Sequence, residues 1–293
     1  MVKPSFERGS RLQYAMLVLP GMLIFTVGII VPMILSLRYS FTSWNGFSRD
    51  IPWNGLENYK RMFEDPYVRD AWWFTIEFAV LNTIIQNLFA LVFAVVLDGS
   101  IKGKRIYRTI LFMPCLISSI VVGFIWLRMY SNVLPTIAES LGFTMNLRLF
   151  GSPGTVLSGF LIANNWQWIG YWMLVYVAAL QSIPTELYEA ARVDGASKAR
   201  QFFKITIPML APAFTICIVG ISVGSLKVYD LLVSSTGGGP GRASTSIIYL
   251  IYNTALSGRQ YGYGSALSMT LIVALLVVAM IQISALRKRE IQL

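Results

Sequence analysis

The sequence contains no histidine, only two cysteines and few charged residues. The absence of histidine removes the commonest general base and the commonest metal ligand. Cys115 and Cys217 lie in separate apolar segments without metal-ligand spacing, so we interpret them as small hydrophobic residues inside the protein. No serine lies in a nucleophile-elbow pattern either. These absences argue against an enzyme embedded in the membrane.

Charge is scarce throughout the chain, at 13% of residues, whereas 55% are hydrophobic and the mean hydropathy is +0.61. Such a chain is too apolar to cover itself with a water-facing surface, so its solvent is lipid. About twenty apolar residues span a bilayer core. The sequence predicts an all-α polytopic membrane protein, a single domain over residues 1–293, with six transmembrane helices near 14–37, 72–97, 107–130, 156–180, 209–232 and 265–286.

The basic residues alternate with the apolar segments, which determines the predicted orientation. The net charge of +10 by itself is also typical of nucleic-acid binding, but this spacing favours a membrane topology without a nucleic-acid partner. The first span lacks a small-residue cleavage site, so we predict a retained helix. With both termini in the cytoplasm, the inner segments hold more than half of the basic residues: Lys3, Arg8, Arg11, Lys102, Lys104, Arg105, Arg108, Arg192, Lys198, Arg200, Lys204, Arg287, Lys288 and Arg289.

The predicted outer segments show no catalytic insertion. Residues 38–71 are rich in aromatics, and 56–63 are predicted to form an amphipathic turn along the membrane surface. Two further outer loops are expected at 131–155 and 234–264. The glycine run at 237–241 lacks the lysine of a P-loop, and no Walker motif occurs anywhere, so an ATP-driven motor would be another polypeptide.

The inner loop at 183–208 has the clearest internal pattern. Pro184 suits the first turn of a helix, Glu186 favours its N-terminal end, and Gly195 suits a left-handed stop. Ser197 is predicted to cap a second helix that ends before Pro208. The pattern therefore predicts a helix, a sharp turn and a helix.

Leu187, Ala190 and Ala191 form a narrow apolar face on the first of these helices. The small alanines allow the backbone of another protein to come close. From periodicity alone, a hairpin that packs under its own bundle explains the same residues equally well.

The order Glu189-Ala190-Ala191-x-x-Asp194-Gly195-Ala196, followed by Phe203, Pro208, Leu210 and Pro212, resembles the EAA loop of ABC importer permeases. In that family the short helix is a coupling helix that docks in a cleft of the cytoplasmic ATPase. The resemblance implies this docking role for Glu189, Ala190, Ala191, Asp194 and Gly195.

Three further stretches resemble the maltose and glycerol-3-phosphate type of sugar permease: Gly55-Leu56-Glu57-Asn58-Tyr59, Arg108-x-x-x-Phe112-x-Pro114 and Thr236-Gly237-Gly238-Gly239-Pro240. The resemblance implies a non-catalytic subunit in a bacterial inner membrane that works by alternating access. It implies as partners a second homologous permease, two ATPase copies that bind ATP and Mg, and an external sugar-binding protein. The chain itself is expected to bind no cofactor.

Ionisable groups within membrane spans are costly and usually face the bundle interior or a water-filled cavity. Glu77, Lys227 and Asp230 are such groups. Lys227 and Asp230 are three residues apart, so they can form a structural ion pair on one helical face. Alternatively, this face of the fifth span borders a solute pathway. The pathway residues on it are then Ser222, Ser225, Lys227, Tyr229 and Asp230.

Amides and aromatics in the fourth span offer hydrogen bonds to hydroxyls and stacking on sugar rings. The candidates are Asn164, Asn165, Gln167 and Trp168, near Trp166, Tyr171 and Trp172. An aromatic belt with interhelical hydrogen bonds explains the same composition, and this alternative also applies to Asn82, Gln86 and Asn87 in the second span.

The main rival hypothesis is an ion-coupled secondary transporter of a small polar solute. It predicts an internal repeat and ion-binding carboxylates at mid-membrane depth, and the EAA-like loop argues against it. The composition leaves mono-, di- and oligosaccharides, glycosides and polyols open as solutes.

Overall fold

The computed structural model of the chain describes residues 8–99, 101–142 and 147–288. Within these ranges the protein is helical and has no strand, and a single antiparallel bridge joins Thr42 to Trp53. The all-α prediction is therefore confirmed. Two basic residues used to predict orientation, Lys3 and Arg289, lie outside the described residues, as do the side chains of Arg8 and Arg11.

The described residues of the first part of the chain form eight α-helices, of which α4 is the longest, with 33 residues. In order they are α1 (Arg8–Phe25), α2 (Val31–Tyr39), α3 (Glu57–Glu64), α4 (Pro66–Asp98), α5 (Lys104–Phe112), α6 (Ser119–Arg128), α7 (Leu134–Ser140) and α8 (Val156–Gln181). A π-helical turn at Thr26–Ile30 continues α1 into α2, and another at Met129–Val133 continues α6 into α7.

The second part begins with the short helices of the predicted inner loop. In order the helices are α9 (Thr185–Val193), α10 (Lys198–Gln201), α11 (Ile207–Met209), α12 (Ala211–Leu226), α13 (Asp230–Ser235), α14 (Ile247–Tyr252) and α15 (Tyr261–Arg287). π-helical turns at Phe202–Thr206 and Asn253–Ser257 extend α10 and α14. The predicted outer loop at 234–264 therefore contains helix that the sequence pattern did not indicate.

Several helices are long and apolar enough to cross a bilayer. Among the described residues, four qualify by length and composition: Met16–Tyr39, Pro66–Asp98, Ser119–Ser140 and Tyr261–Arg287. A fifth qualifies if the bent pair Lys198–Met209 and Ala211–Leu226, with an angle of 63°, is counted as one span. The predicted spans at 14–37, 72–97 and 265–286 each lie within a continuous helical stretch. α8 has 26 residues, enough to cross, but three amides at its middle lower its hydropathy.

The prediction of one helix over 107–130 is wrong. A 3-10 turn at Met113–Leu116 ends α5, and Ile117 is extended, with φ −83° and ψ 136°. Pro114 has no backbone N–H to donate, so the helix cannot continue regularly through it. Helix resumes at Ser119 and runs to Ser140, into the region predicted as an outer loop.

The prediction of one helix over 209–232 is also wrong, because the chain bends near Leu210 and breaks again after Leu226. The helix that Ser197 caps was predicted to end before Pro208, but it continues to Met209. The π-helical turn at Phe202–Thr206 ends two residues before Pro208 and changes the register of the backbone hydrogen bonds there.

The chain divides into two compact units. One comprises the chain up to Glu64 together with Ile251–Thr270. In it, the buried Asn58 on α3 donates hydrogen bonds to the carbonyls of Ser40 and Thr42, both at 2.8 Å. An amphipathic turn was predicted at 56–63, and the structure has the helix α3 there, at Glu57–Glu64. Its asparagine holds the turn that follows α2.

The second unit comprises Asp65–Leu250 and Leu271–Leu293. One cluster of its buried side chains includes Phe78, Tyr130 and Phe160, and another includes Tyr176, Leu210 and Cys217. α5 packs closely on α8 at Gly170, which has no side chain. Any side chain at this position would collide with the carbonyl of Leu111. The candidate site lies within this unit.

Candidate functional site

A cavity of about 310 Å³ lies among α4, α8 and the junction between α12 and α13. Its wall combines amides, hydroxyls, two indole rings and one charge of each sign. The lining residues are Phe78, Asn82, Gln86, Ser119, Asn164, Trp168, Trp172, Gly220, Ile221, Gly224, Ser225, Lys227, Val228, Tyr229, Asp230 and Leu231. Six predicted pathway residues are among them: Asn164, Trp168, Ser225, Lys227, Tyr229 and Asp230.

The charged part of the wall lies where the helix is broken. α12 ends at Leu226, Lys227 has φ −103° and ψ 18°, and α13 begins at Asp230. Irregular backbone within a membrane protein is tolerated where it is buried or lines a cavity. The sequence-based idea of one helical face with a Lys227–Asp230 ion pair is wrong in its geometry, since the two residues lie on different elements and no ion pair joins them among the described residues.

Asn82 connects three helices at this wall. Its Nδ2 donates to Ser225 Oγ on α12 at 2.8 Å and to Gln86 Oε1 at 3.2 Å. Its Oδ1 accepts from Asn164 Nδ2 at 3.1 Å and from Asn165 Nδ2 at 2.9 Å, both on α8. Asn82 is therefore fully hydrogen-bonded although it is buried, as a polar group inside a bundle needs to be.

Three predicted pathway residues do not line the cavity. Ser222 Oγ donates to Gln282 Oε1 at 2.7 Å and so joins α12 to α15. Asn165 is held by Asn82 and by the carbonyl of Leu161, at 2.8 Å. Gln167 Nε2 donates to the carbonyl of Ile117 at 2.8 Å and to Ser119 Oγ at 3.1 Å. These three side chains hold the walls together.

Gln167 explains how the break between α5 and α6 is stabilised. The extended conformation of Ile117 leaves its carbonyl without a helical partner, and a buried carbonyl without a hydrogen bond is costly. Gln167 is 1% exposed and supplies the missing donor from α8. The sequence pattern showed an amide in an apolar helix but not the carbonyl that it serves.

The aromatic part of the wall is formed by Trp168 and Trp172 on α8. Tyr171 packs edge-on against both, with ring centroids 6.1 Å from Trp168 and 5.0 Å from Trp172. Trp172 in turn lies over Gly220, where any larger side chain would collide with the indole. The ring positions are thus set by neighbours on both sides.

Sequence reasoning gave too little weight to several cavity residues. Asn82 and Gln86 were considered only with the belt alternative, and Ser119 was not singled out. The signal for the first two is their i, i+4 spacing, which places both amides on one face of an otherwise apolar helix. Among the described residues, Nε2 of Gln86 has no hydrogen-bond partner. Ser119 could not be found, since the helix break that places it at the cavity was not predicted.

A second candidate site is the helix-turn-helix formed by α9 and α10. Gly195 has φ +74°, its N–H donates to the carbonyl of Arg192 at 3.0 Å, and the N–H of Ala196 donates to that of Ala191 at 2.8 Å. This is a Schellman motif, in which a left-handed residue closes the helix end. Ser197 Oγ then accepts from the N–H of Arg200 at 3.3 Å, as a helix cap.

Most of the predicted docking residues are accessible. Glu189, Ala190, Asp194 and Gly195 are exposed, and Ala191 is half-buried. On the opposite side the loop is anchored to its own bundle, because Tyr188 Oη and Thr206 Oγ1 share a 2.9 Å hydrogen bond and Ile183 is buried in the cluster around Leu210. One face of α9 is therefore exposed, while the opposite face is attached to the rest of the protein through Tyr188.

The chain matches the family model described as "Binding-protein-dependent transport system inner membrane component" over residues 86–290. It is 32% identical to the probable starch degradation products transport system permease protein AmyD of Thermoanaerobacterium thermosulfurigenes, with 96% of each chain covered. It is 29% identical to the multiple sugar-binding transport system permease protein MsmF of Streptococcus mutans, with 89% of this chain and 90% of the relative covered. A third relative, the sn-glycerol-3-phosphate transport system permease protein UgpA of Salmonella typhimurium, is 32% identical over 91% of each chain.

Solved structures show a similar fold. The chain superposes on a chain of a bacterial ABC transporter that imports the acidic polysaccharide alginate, with a TM-score of 0.83, 23% identity and 96% of each chain covered. A structure of the alginate transporter with a periplasmic protein bound to an alginate pentasaccharide gives 0.83 as well, at 22% identity and the same coverage. An amino acid ABC transporter gives a TM-score of 0.54 at 16% identity, over 79% of this chain and 98% of that one.

Proposed function

The chain belongs to the family of binding-protein-dependent transport system inner membrane components, and we propose that it forms half of the membrane pathway of an ATP-driven sugar importer. The observation that carries the sugar assignment is the composition of the cavity among α4, α8 and α12. Amides and hydroxyls match the donors and acceptors of a sugar, and two indole rings match its apolar faces. The relatives named for starch products and multiple sugars support the same class of solute.

Within the cavity, the proposed solute contacts are Asn164, Trp168, Ser225, Lys227, Tyr229 and Asp230. A volume of about 310 Å³ is at the lower end of the range for small-molecule pockets, which suits a short stretch of sugar and not a whole polysaccharide. Ser222, Asn165 and Gln167 act indirectly, since they fix the helices that carry the contacts.

We propose six spans, with both termini and the α9–α10 loop in the cytoplasm. The spans are α1–α2, α4, α5 to α7, α8, the broken α12 to α13 segment and α15. The inner end of α4 supports this orientation, since Arg108 Nη2 donates to the carbonyl of Leu97 at 2.8 Å and lies 3.6 Å from the carboxylate of Asp98. Basic residues concentrate on the cytoplasmic side of membrane proteins.

Coupling to ATP is assigned to α9. Its exposed face, with Glu189, Ala190 and Asp194, is proposed to dock on a cytoplasmic ATPase, which binds the ATP and Mg. Two ATPase copies, a second homologous permease and an external sugar-binding protein complete the proposed complex in a bacterial inner membrane. When the ATPases close, the docked helices move and the permease pair alternates between inward and outward access, and the present chain makes and breaks no covalent bond.

The experiment is a mild-detergent purification of this chain from its native membrane, followed by mass spectrometry and by uptake assays in reconstituted vesicles. We expect an ATPase, a second permease and a binding protein to copurify, and uptake of radiolabelled sugar to require ATP and the binding protein. Uptake by the chain alone, driven by a proton or sodium gradient, would instead establish the ion-coupled secondary transporter.

A further inference from the structure

A second cavity, of about 720 Å³, opens at the outer end of α4 and is separate from the proposed solute pathway. Its apolar lining includes Phe74, Leu157 and Trp73, whose indole is exposed. Four charged groups line it: Arg69, Asp70, Glu77 and Arg242. The proposed import mechanism uses none of these residues.

The charges of this cavity balance, with two guanidinium groups and two carboxylates. Arg69 Nε lies 3.6 Å from Asp70 Oδ1, and the Arg242 guanidinium lies 3.1 Å from the ring centroid of Tyr67. Among the described residues, no ion pair involves Glu77 or Arg242. Groups of both signs in one cavity can pair with a ligand that carries both a cation and an anion, whereas basic pockets bind anionic lipids.

The depth of the cavity follows from the length of α4. A helix needs about 20 residues to cross a hydrocarbon core of about 30 Å. Arg108 donates a hydrogen bond to the carbonyl of Leu97, so Leu97 marks the proposed cytoplasmic interface. Twenty residues of α4, counted from Leu97 toward the outer side, end at Phe78. Glu77 then lies at the outer edge of the hydrocarbon, with Trp73 and Arg69 at headgroup level.

Below Glu77 the same face of α4 is apolar and exposed. Val80, Ile84 and Leu88 follow it at helical spacing and are 53%, 60% and 57% exposed. A carboxylate at the edge of the hydrocarbon is costly unless a partner is near. Val80, Ile84 and Leu88 form an exposed apolar stripe that begins one turn below Glu77. The charged cavity is thus continuous with this stripe along α4.

We propose that this cavity binds the headgroup of a zwitterionic phospholipid with a primary amine, such as phosphatidylethanolamine, from the outer leaflet. Arg69 and Arg242 hold the phosphate, Glu77 and Asp70 hold the ammonium, and an acyl chain lies along Val80, Ile84 and Leu88. The lipid thereby supplies Glu77 with a counter-ion. The site rests on the proposed orientation but not on the identity of the transported solute.

The first test is native mass spectrometry of the purified complex with equal amounts of phosphatidylethanolamine, phosphatidylcholine and phosphatidylglycerol. We expect wild type to retain phosphatidylethanolamine preferentially, because its ammonium donates hydrogen bonds that a quaternary amine cannot. Glu77→Gln, which keeps the shape and removes the charge, should lower that retention about fivefold, the effect of about 1 kcal/mol. Arg242→Gln should lower the retention of every phospholipid.

The matched control is Glu139→Gln, since Glu139 is an exposed carboxylate on α7 that does not line the cavity. It should retain lipid as wild type does. Equal retention of the three lipids by wild type, or equal phosphatidylethanolamine retention by wild type and Glu77→Gln in complexes of equal melting temperature, would overturn the site.

The second test distinguishes a lipid from a protein on the apolar stripe. A photo-reactive benzoylphenylalanine at position 84 is irradiated in native membranes. A phospholipid adduct on this chain supports the proposal. An adduct with a second permease polypeptide would show that the stripe is a subunit interface, and the lipid site would be rejected.

Discussion

Asn82 Nδ2 donates a 2.8 Å hydrogen bond to Ser225 Oγ and thereby joins α4 to α12 at the wall of the polar cavity. The carbonyl oxygen of the same amide accepts two hydrogen bonds from α8. If α4 moves away from α12 during alternating access, this bond must break. Such interhelical bonds contribute modestly in membranes, about 0.6 kcal/mol on average, so a closed arrangement held by them can open.

Asn82→Ala should lower the melting temperature of the complex and the uptake rate. The change removes the acceptor of the half-buried Asn164 amide and leaves the buried Asn165 amide with the carbonyl of Leu161 as its acceptor. Loss of hydrogen bonds from buried amides costs about 1–3 kcal/mol. Thermal unfolding by intrinsic fluorescence and vesicle uptake measure the two effects. Asn132→Ala, at an exposed position, is the control and should match wild type. Equal melting temperatures for both variants would contradict the role of Asn82.

Gln167→Met should destabilise the break between α5 and α6. Methionine has a similar length but cannot donate to the carbonyl of Ile117, which is left unpaired at a cost of about 1–3 kcal/mol. Ser119→Ala removes only the weaker 3.1 Å contact and should cost less. The measurement is hydrogen exchange of residues 113–119, which should be faster in the methionine variant. Unchanged exchange would argue that the break is held by packing alone.

Gly195→Val should reduce copurification of the ATPase. The site is spacious, since no heavy atom lies within 4 Å of the position that a Cβ would occupy. The penalty therefore arises from φ +74° and is about 1–2 kcal/mol for a residue other than glycine. Gly195→Asn is the matched control, because asparagine tolerates left-handed conformations. The ATPase-to-permease ratio after affinity purification is the readout. Loss of the ATPase with both variants would point to contact at the side chain and not to the turn.

Glu189→Lys tests the docking face itself. Glu189 is exposed, so reversing its charge leaves the fold of α9 intact while changing the surface offered to the ATPase. We expect the subunit to insert at wild-type levels, with ATP hydrolysis no longer coupled to uptake. Membrane fractionation, ATPase activity and uptake measure the three quantities. Wild-type uptake by this variant would refute the docking assignment.

Trp168→Ala should slow sugar uptake by about two- to tenfold, the effect of losing about 0.5–1.5 kcal/mol of aromatic contact. Trp166 is two residues away on α8, packs against Trp126 with ring centroids 5.9 Å apart, and does not line the cavity. Trp166→Ala is therefore the control, with melting temperatures measured for both. Equal uptake by the two variants would place the solute elsewhere.

The helix-turn-helix at 183–208 was predictable because its signals are local. Glycine at a left-handed stop and serine at a cap each act within a few residues of the chain, and the structure shows Gly195 and Ser197 in those roles. Pro184, predicted in the first turn, lies instead at the N-cap, one residue before α9 begins. Its docking on an ATPase stays a prediction. The failure at Pro208 shows the limit of such rules, since a π-helical turn before it allowed the helix to continue.

Hydropathy and local backbone preferences are properties of short stretches of the chain, so the sequence alone is enough to predict a helical membrane protein that carries the family's loop. Which polar residues share a cavity depends instead on the packing of helices that are distant in sequence. Asn82 and Ser225 are 143 residues apart, and Gln167 and Ile117 are 50 apart, so their pairing depends on how whole helices pack. The breaks after Phe112 and Leu226 are likewise tolerated because distant side chains satisfy the freed backbone groups, as Gln167 does for Ile117 and Ser246 for Val228.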